Sequence, residues 1–217
     1  MKLHTAFITY NRLELTKRAI GSYLETVTLP YTMWVVDNAS EDGTQEWIAE
    51  NIREIGMGYT LMRENRYPGA AANSGWEAVE FTGIAEGATH LQRADNDFEF
   101  LPGWCNEVER CFRQPNLGQL GLRTDKEEMR NRINVGGNCI ITRKLWNKGL
   151  RYDERPWPQI AKEVGKGWSE DGLMSIEVKK RGYAWGRVKT PCINALSLAD
   201  KDDPYYVKSL GDRGVTL

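Results

Sequence analysis

The sequence predicts an α/β fold in which a mostly parallel central sheet carries helices on both faces, and three observations predict it. Short apolar runs of strand type alternate four times with segments of helical period before residue 97. The connections between them are short, which favours parallel strands joined by crossover helices. Each strand also ends in a polar loop: Thr9 to Arg12, Asp37 to Ser40, Asn65 to Asn73 and Asp95 to Asp97. In a parallel sheet those ends share one edge, where ligands bind, so four polar loops are expected to line a single crevice.

Residues 4 to 9 form the first expected strand and Tyr10-Asn11-Arg12 the loop after it. Helical spacing then sets in, with Thr16, Ala19, Ile20, Tyr23 and Leu24 on one face. Asn11 and Glu14 are spaced as a capping box. A second strand covers 31 to 37 and ends on Asp37, a turn follows through Thr44, and Trp47, Ile48 and Ile52 mark the next helix. The third strand, Tyr59 to Arg63, precedes a helix of small residues from Gly69 to Trp76, whose lack of bulk lets backbone or ligand approach closely. The fourth strand ends at Asp95.

Beyond it the pattern gives a helix from Trp104 to about Arg113, a short strand from Gln119 to Arg123, and a charged loop from Thr124 to Arg132. A strand with a glycine entry follows from Val135 to Thr142, then a short helix from Arg143 to Lys148. Residues 151 to 168 lack periodicity and read as a lid or binding loop. Ser169 is placed to cap a helix ending at Gly182, with Glu170 and Asp171 in its first turn. The tail after Pro191 shows no clear structure. The division expected is a single domain over 1–217, with a ligand-binding half (1–104), a second half (105–190) and a tail (191–217).

At 217 residues the chain is long enough for a substantial core. It contains no apolar run of membrane-spanning length, and Met1-Lys2-Leu3-His4-Thr5 leads into a strand rather than a leader segment. The expectation is a soluble, cytoplasmic protein without integral membrane contact. Its cysteines (105, 111, 139 and 192) form no C-x-x-C pair, so neither zinc nor a disulfide framework is expected. With His4 and His90 as the two histidines, histidine-based chemistry is not expected. The net charge of −1 hides an asymmetry: residues 120 to 190 hold 16 Lys and Arg against 9 Asp and Glu, or +7, which leaves −8 elsewhere. A basic second half suits a phosphate-bearing partner, although charge runs also arise on ordinary solvated surfaces.

Asp95 and Asp97 sit two residues apart where a strand stops, so in extended backbone both carboxylates face the same way. Two converging carboxylates call for a cation, and hard oxygen ligands suit Mg²⁺ or Mn²⁺ that keeps positions open for water and phosphate. A plain polar turn would use the same residues.

In this order and spacing, six segments resemble family 2 glycosyltransferases of the GT-A type. They are Phe7 to Arg12, Val35 to Ser40 with Asp42-Gly43-Thr44, Asn65 to Gly75, Asp95-Asn96-Asp97 with Leu101 to Trp104, Gly136-Gly137-Asn138, and Glu170-Asp171. The resemblance covers roughly residues 4 to 190. It implies a Rossmann-like GT-A domain with a small acceptor-side lobe, a nucleotide-sugar donor such as a UDP-sugar, Mn²⁺ or Mg²⁺ on the Asp-x-Asp motif, and inversion at the anomeric carbon. Carried over, Thr9, Tyr10, Arg12, Asp37 and Asn38 would line the nucleotide pocket. Asn65 and Asn73 would lie near it, and Asn96, Gly137 and Glu170 beside the donor. Asp95 would contact the ribose or sugar, Asp97 the metal, and Asp171 would be the general base. Turn formation and helix capping are the competing readings for Thr9, Asp37, Asn65 and Asn73. Trp157 and Trp168 suit either a sugar platform or core packing.

The sequence departs from the family at two places. A histidine that commonly completes the metal shell is missing from Thr190 to Ser197, where Asn194 or a tail acid (Asp200, Asp202 or Asp203) would have to substitute. Tyr67 and Ala72 replace residues common in the diphosphate-binding segment. Two alternatives stand beside the transferase. A nucleotidyltransferase would want a glycine-rich basic loop after the first strand, which Thr9-Tyr10-Asn11-Arg12 is not. A binding module without turnover would draw on the missing histidine.

Overall fold

The structure, a computed structural model, describes residues 1–52, 57–83, 86–124, 135–196 and 204–215. A seven-stranded sheet in the order β3-β2-β1-β4-β7-β6-β8 forms its centre. Four strands, β1 (Leu3–Thr9), β2 (Tyr31–Asp37), β3 (Gly58–Leu61) and β4 (His90–Asp95), pair in parallel. Next to β4, β7 (Cys139–Thr142) is antiparallel to both β4 and β6 (Leu117–Gly121), and β8 (Ala184–Arg187) is parallel to β6. The chain moves outward from β1 to β3 and then returns to the other side of β1 as β4. The strand order therefore reverses between β1 and β4, which is where such sheets open a ligand crevice. Register sets the crevice's floor, because Thr9 aligns with Asp37 and Ile8 with Asp95.

All seven residues of β1 are buried, as a central strand covered on both faces requires. On one face lie α1 (Leu13–Thr26), α2 (Thr44–Asn51) and α4 (Trp104–Phe112), packed through Tyr23, Ile48 and Trp104. On the other, α3 (Tyr67–Thr82) crosses β1 and β2 through buried Ala71, Ala72 and Trp76. A side chain at Gly75 would place its Cβ 2.6 Å from that of Ala6. The small residues thus admit backbone, and Trp76 Nε1 donates to the Gln92 carbonyl at 2.9 Å to fix the helix over β4.

The start of α1 differs from the expected capping box. Asn11 and Arg12 both adopt left-handed backbone (φ 52° and 59°). That turns Asn11 Oδ1 sideways to accept from Glu41 N, while Leu13 N donates to Asp42 Oδ2. The cap is therefore supplied by the loop after β2, and it locks two crevice loops together.

Several elements exceed the sequence reading. The stretch expected to be irregular contains α6 (Trp157–Glu163), begun by a proline in its first turn. The tail expected to lack structure contains β9 (Ile193–Ala195) and α8 (Pro204–Asp212). β9 pairs antiparallel with β5 (Phe98–Phe100), which follows directly on the Asp-x-Asp turn. Three-residue strands are too short to leave a periodic signal. The remaining helices, α5 (Arg143–Asn147) and α7 (Glu170–Lys180), fall where expected. The expected strand from Val135 narrows to Cys139–Thr142, because Gly136 enters with φ 78°. Residues 125–132 of the expected charged loop lie outside the described residues.

Candidate active site

A cavity of about 470 Å³ opens at the carboxyl edge, above the β1/β4 reversal. The loop after β1 contributes Tyr10 and Arg12, the loop after β2 Asn38, and the approach to α3 Asn65. Asp95, Asn96 and Asp97 enter from β4, Gly137 from the approach to β7, and Glu170 and Asp171 from the start of α7. Ten of the expected site residues therefore meet around one space.

Three others lie outside its lining. Thr9 and Asp37 are fully buried beneath it, with Thr9 Oγ1 donating to Asp37 Oδ2 at 2.9 Å. Asp37 also accepts from Ser40 N and Gln45 Nε2, both at 2.8 Å, so its carboxylate braces the loop after β2. Asn73 is clasped to the backbone of Tyr152, accepting from its N–H and donating to its carbonyl at 3.0 Å each. It tethers α3 to the chain leading into α6. Among the lining residues, Asn38 Oδ1 accepts from Arg66 N, and Asn65 Oδ1 accepts from Tyr67 N to shape the start of α3. Asn96 Nδ2 donates to Asn11 O and Thr16 Oγ1, both at 2.9 Å, fixing the β4 turn against α1.

The centre of the site is Arg93, which sequence reasoning missed. Its Nε and Nη2 donate to the two oxygens of Asp95 at 2.8 and 3.1 Å. Its Nη1 reaches Glu170 Oε1 at 2.8 Å and Asp171 Oδ1 at 3.0 Å. Burial disfavours the guanidinium charge, but Asp95, Asp171 and Glu170 more than offset this and hold it protonated. Glu170 Oε2 also accepts from Trp157 Nε1. Desolvation and the neighbouring Glu170 push Asp171 up, to about 8, against the opposing pull of Arg93. The clue in the sequence was an arginine two residues before Asp95 within an otherwise buried strand, since a charge there must find acids on its own face.

Asp97 is set apart from this cluster. Its Oδ2 lies 3.4 Å from Arg12 Nη1, and its side chain is 17% exposed on the cavity wall. A carboxylate on the cavity wall fits a Mg²⁺- or Mn²⁺-type ion that takes most of its ligands from substrate phosphates and water. Asp95 is 21% exposed on the same cavity but already accepts from Arg93 on both oxygens, which leaves one lone pair of each for an ion. Asn194 directs its amide to Glu99 Oε2 at 3.4 Å, on the β5/β9 pair. Asp200, Asp202 and Asp203 lie outside the described residues, and among those described no group of three or more His, Cys, Asp or Glu is placed to hold a metal.

The far wall comes from α8, through Tyr205, Tyr206, Lys208 and Asp212, with Arg213 just beyond its end. Tyr205 meets Tyr10 edge-on at 6.0 Å, and the Arg12 guanidinium lies 5.5 Å from the Tyr205 ring. Trp157 lines the cavity against Tyr67 at 5.4 Å, whereas Trp168 stands outside the lining.

The family Glycosyl transferase family 2 matches residues 6–161 of the chain. No curated protein matches it in sequence. Solved structures match its fold. Staphylococcus aureus TarS 1-349 in complex with UDP aligns at a TM-score of 0.67 and 14% identity, covering 90% of this chain and 60% of that one. The same protein in complex with UDP-GlcNAc gives 0.68 and 13%, over 90% and 58%. The mannosyltransferase PcManGT of Pyrobaculum calidifontis, in complex with GDP-Man and Mn²⁺, gives 0.67 and 16%, over 91% and 58%. The chain thus spans about 60% of the length of these proteins. Among the described residues, no helix is long and apolar enough to cross a membrane.

Proposed function

The chain belongs to glycosyl transferase family 2, and from that premise we propose that it is an inverting transferase moving a sugar from a UDP-sugar to an acceptor hydroxyl. The observation that carries this reading is the meeting of Asp171, Asp95 and Asp97 around one cavity of about 470 Å³. That volume lies within the range of small-molecule sites.

Asp171 is the general base in this reading. An acceptor hydroxyl gives its proton to the Asp171 carboxylate while its oxygen attacks the anomeric carbon from the side opposite the diphosphate. The bond from that carbon to the diphosphate oxygen breaks, and the electron pair leaves with the nucleotide. Burial and Glu170 raise the carboxyl to about 8 against the pull of Arg93, which makes it a stronger base once ionised, and the positive N-terminal end of α7 favours that ionised form. Asp95, fixed by Arg93, faces the ribose or sugar. Tyr10 and Arg12 form the nucleotide side, closed by Tyr205. Arg12 and Lys208 bring positive charge to the wall where a diphosphate would lie. Asp97 would hold Mn²⁺ or Mg²⁺, which when bound supplies positive charge to the departing diphosphate.

The basic second half supports a phosphate-bearing acceptor such as a lipid-linked sugar, a phosphorylated saccharide or a nucleic acid. All four cysteines are free and buried, which accords with a cytoplasmic setting. The test is donor turnover by wild type and Asp171→Asn, with the anomeric configuration of the product read by NMR. The reading predicts inversion, and nucleotide release reduced by a factor of roughly 10²–10⁴ in the variant. A retained configuration, or full activity in Asp171→Asn, overturns it. Pyrophosphate as the product would instead identify a nucleotidyltransferase.

A further inference from the structure

Arg93 stands two residues before Asp95 on β4, so both side chains leave the strand on the same face. Its side chain is only 3% exposed, yet it contacts three carboxylates from two distant parts of the chain. The Tyr152 ring lies 5.2 Å from the guanidinium carbon. Gly137 packs so closely on the other group that a Cβ there would approach Nη2 to 2.8 Å and Asp95 Oδ2 to 2.4 Å. The plane of the fork is therefore fixed by its surroundings as well as by its partners. One positive charge facing three acids is a poor device for stability, since buried ions are costly unless fully compensated. What the arrangement does achieve is a rigid link between the end of β4 and the start of α7.

Resting on the transferase reading above, we propose that Arg93 is a positioning residue for the transfer step. Its planar fork fixes Asp171 relative to Asp95, so that the base carboxylate stands at a set place with respect to a sugar seated over Asp95. No proton and no covalent bond passes through Arg93. The role needs the fork as well as the charge, because an ammonium is a point donor that cannot hold carboxylates in one plane. Lysine is therefore a partial substitute and glutamine a poorer one.

The experiment measures two quantities on the full chain: UDP binding by calorimetry, and hydrolysis of UDP- and GDP-sugars with water as the acceptor. It compares wild type, Arg93→Lys, Arg93→Gln and Asp171→Asn. Misplacing a catalytic group by about 1 Å costs on the order of 100-fold, so Arg93→Gln should lose about that much kcat, and Arg93→Lys less, while UDP affinity stays within about threefold. Should Arg93→Gln fail to fold, Arg93→Lys carries the test, since it keeps the charge without the planar fork and should show the same split to a smaller degree. Parallel loss of kcat and UDP affinity means a merely structural role and overturns the proposal. Turnover that is lost in Asp171→Asn but kept in Arg93→Gln overturns the role of Arg93 alone. A wild type that hydrolyses none of the sugar nucleotides overturns the transferase reading, and this inference with it.

Discussion

Asp171 must be ionised to act as a base, yet its surroundings favour the protonated acid, and this opposition has a thermodynamic consequence. A carboxyl raised from its ordinary value to about 8 stabilises the fold fully at acid pH, and that contribution is lost as pH rises from about 4 through 8. Asp171→Asn is neutral throughout, so it should melt above wild type at pH 8 to 9 and lose this advantage near pH 5. For a chain of this size, each kcal/mol recovered should raise Tm by about 2–4 °C. Equal melting temperatures at both pH values would contradict the assignment. Gly137→Ala tests the packing over the Arg93–Asp95 pair. Its Cβ would fall 2.4 Å from Asp95 Oδ2, so the pair must shift, at a cost of roughly 1–3 kcal/mol and with reduced donor turnover. An alanine variant with wild-type activity would show that the pair tolerates displacement. At this scale the sequence was most legible in position: Asp95, Asp97 and Asp171 line one cavity, as the pattern of strand and helix ends predicts. Arg93 was not legible, because nothing local says which acids a buried arginine will meet across 77 or 78 residues of sequence. Asp37 and Asn73 were ambiguous from the start, and their partners make them braces of the loops that line the cavity.

The parallel strands and their crossover helices were readable because each is long enough to show its period. β5, β9 and α8 were not, since β5 and β9 exist through pairing with each other and α8 offers a tail helix with no fully buried residue. The junction of α3 with β1 and β2 carries its own test in His4, which is fully buried. Its Nε2 donates to the Gly75 carbonyl at 3.1 Å, so Nδ1 accepts from the Thr32 hydroxyl at 2.8 Å and the ring is neutral. Burial lowers its pKa to about 4, with the Gly75 bond opposing and Arg143 assisting. For a depressed histidine the stabilisation is present above pH 6.5 and is lost as pH falls from there through 4. NMR titration should show His4 protonating near pH 4, with α3 loosening from the sheet in the same range. A midpoint near 6.5 would mean that the ring is open to water.

At the scale of the molecule, one sheet brings together groups from nearly the whole chain, with Tyr10 at one end of the sequence and Arg213 at the other lining the same cavity. The reversal between β1 and β4 places that cavity, and the strand register levels its floor. The lining mixes the carboxylates of the β4 turn and α7 with arginines and a lysine, of which Arg187 belongs to the basic stretch from 120 to 190 and the others to the rest of the chain. The most direct test of the central claim is calorimetric titration of UDP with Mn²⁺, carried out on wild type and on Asp97→Ala. Binding that depends on Mn²⁺, and that weakens by about tenfold or more in the variant, or roughly 1.4 kcal/mol, is the predicted result. Binding indifferent to both the metal and Asp97, or no binding at all, would contradict the account of this cavity as a metal-assisted nucleotide-sugar site.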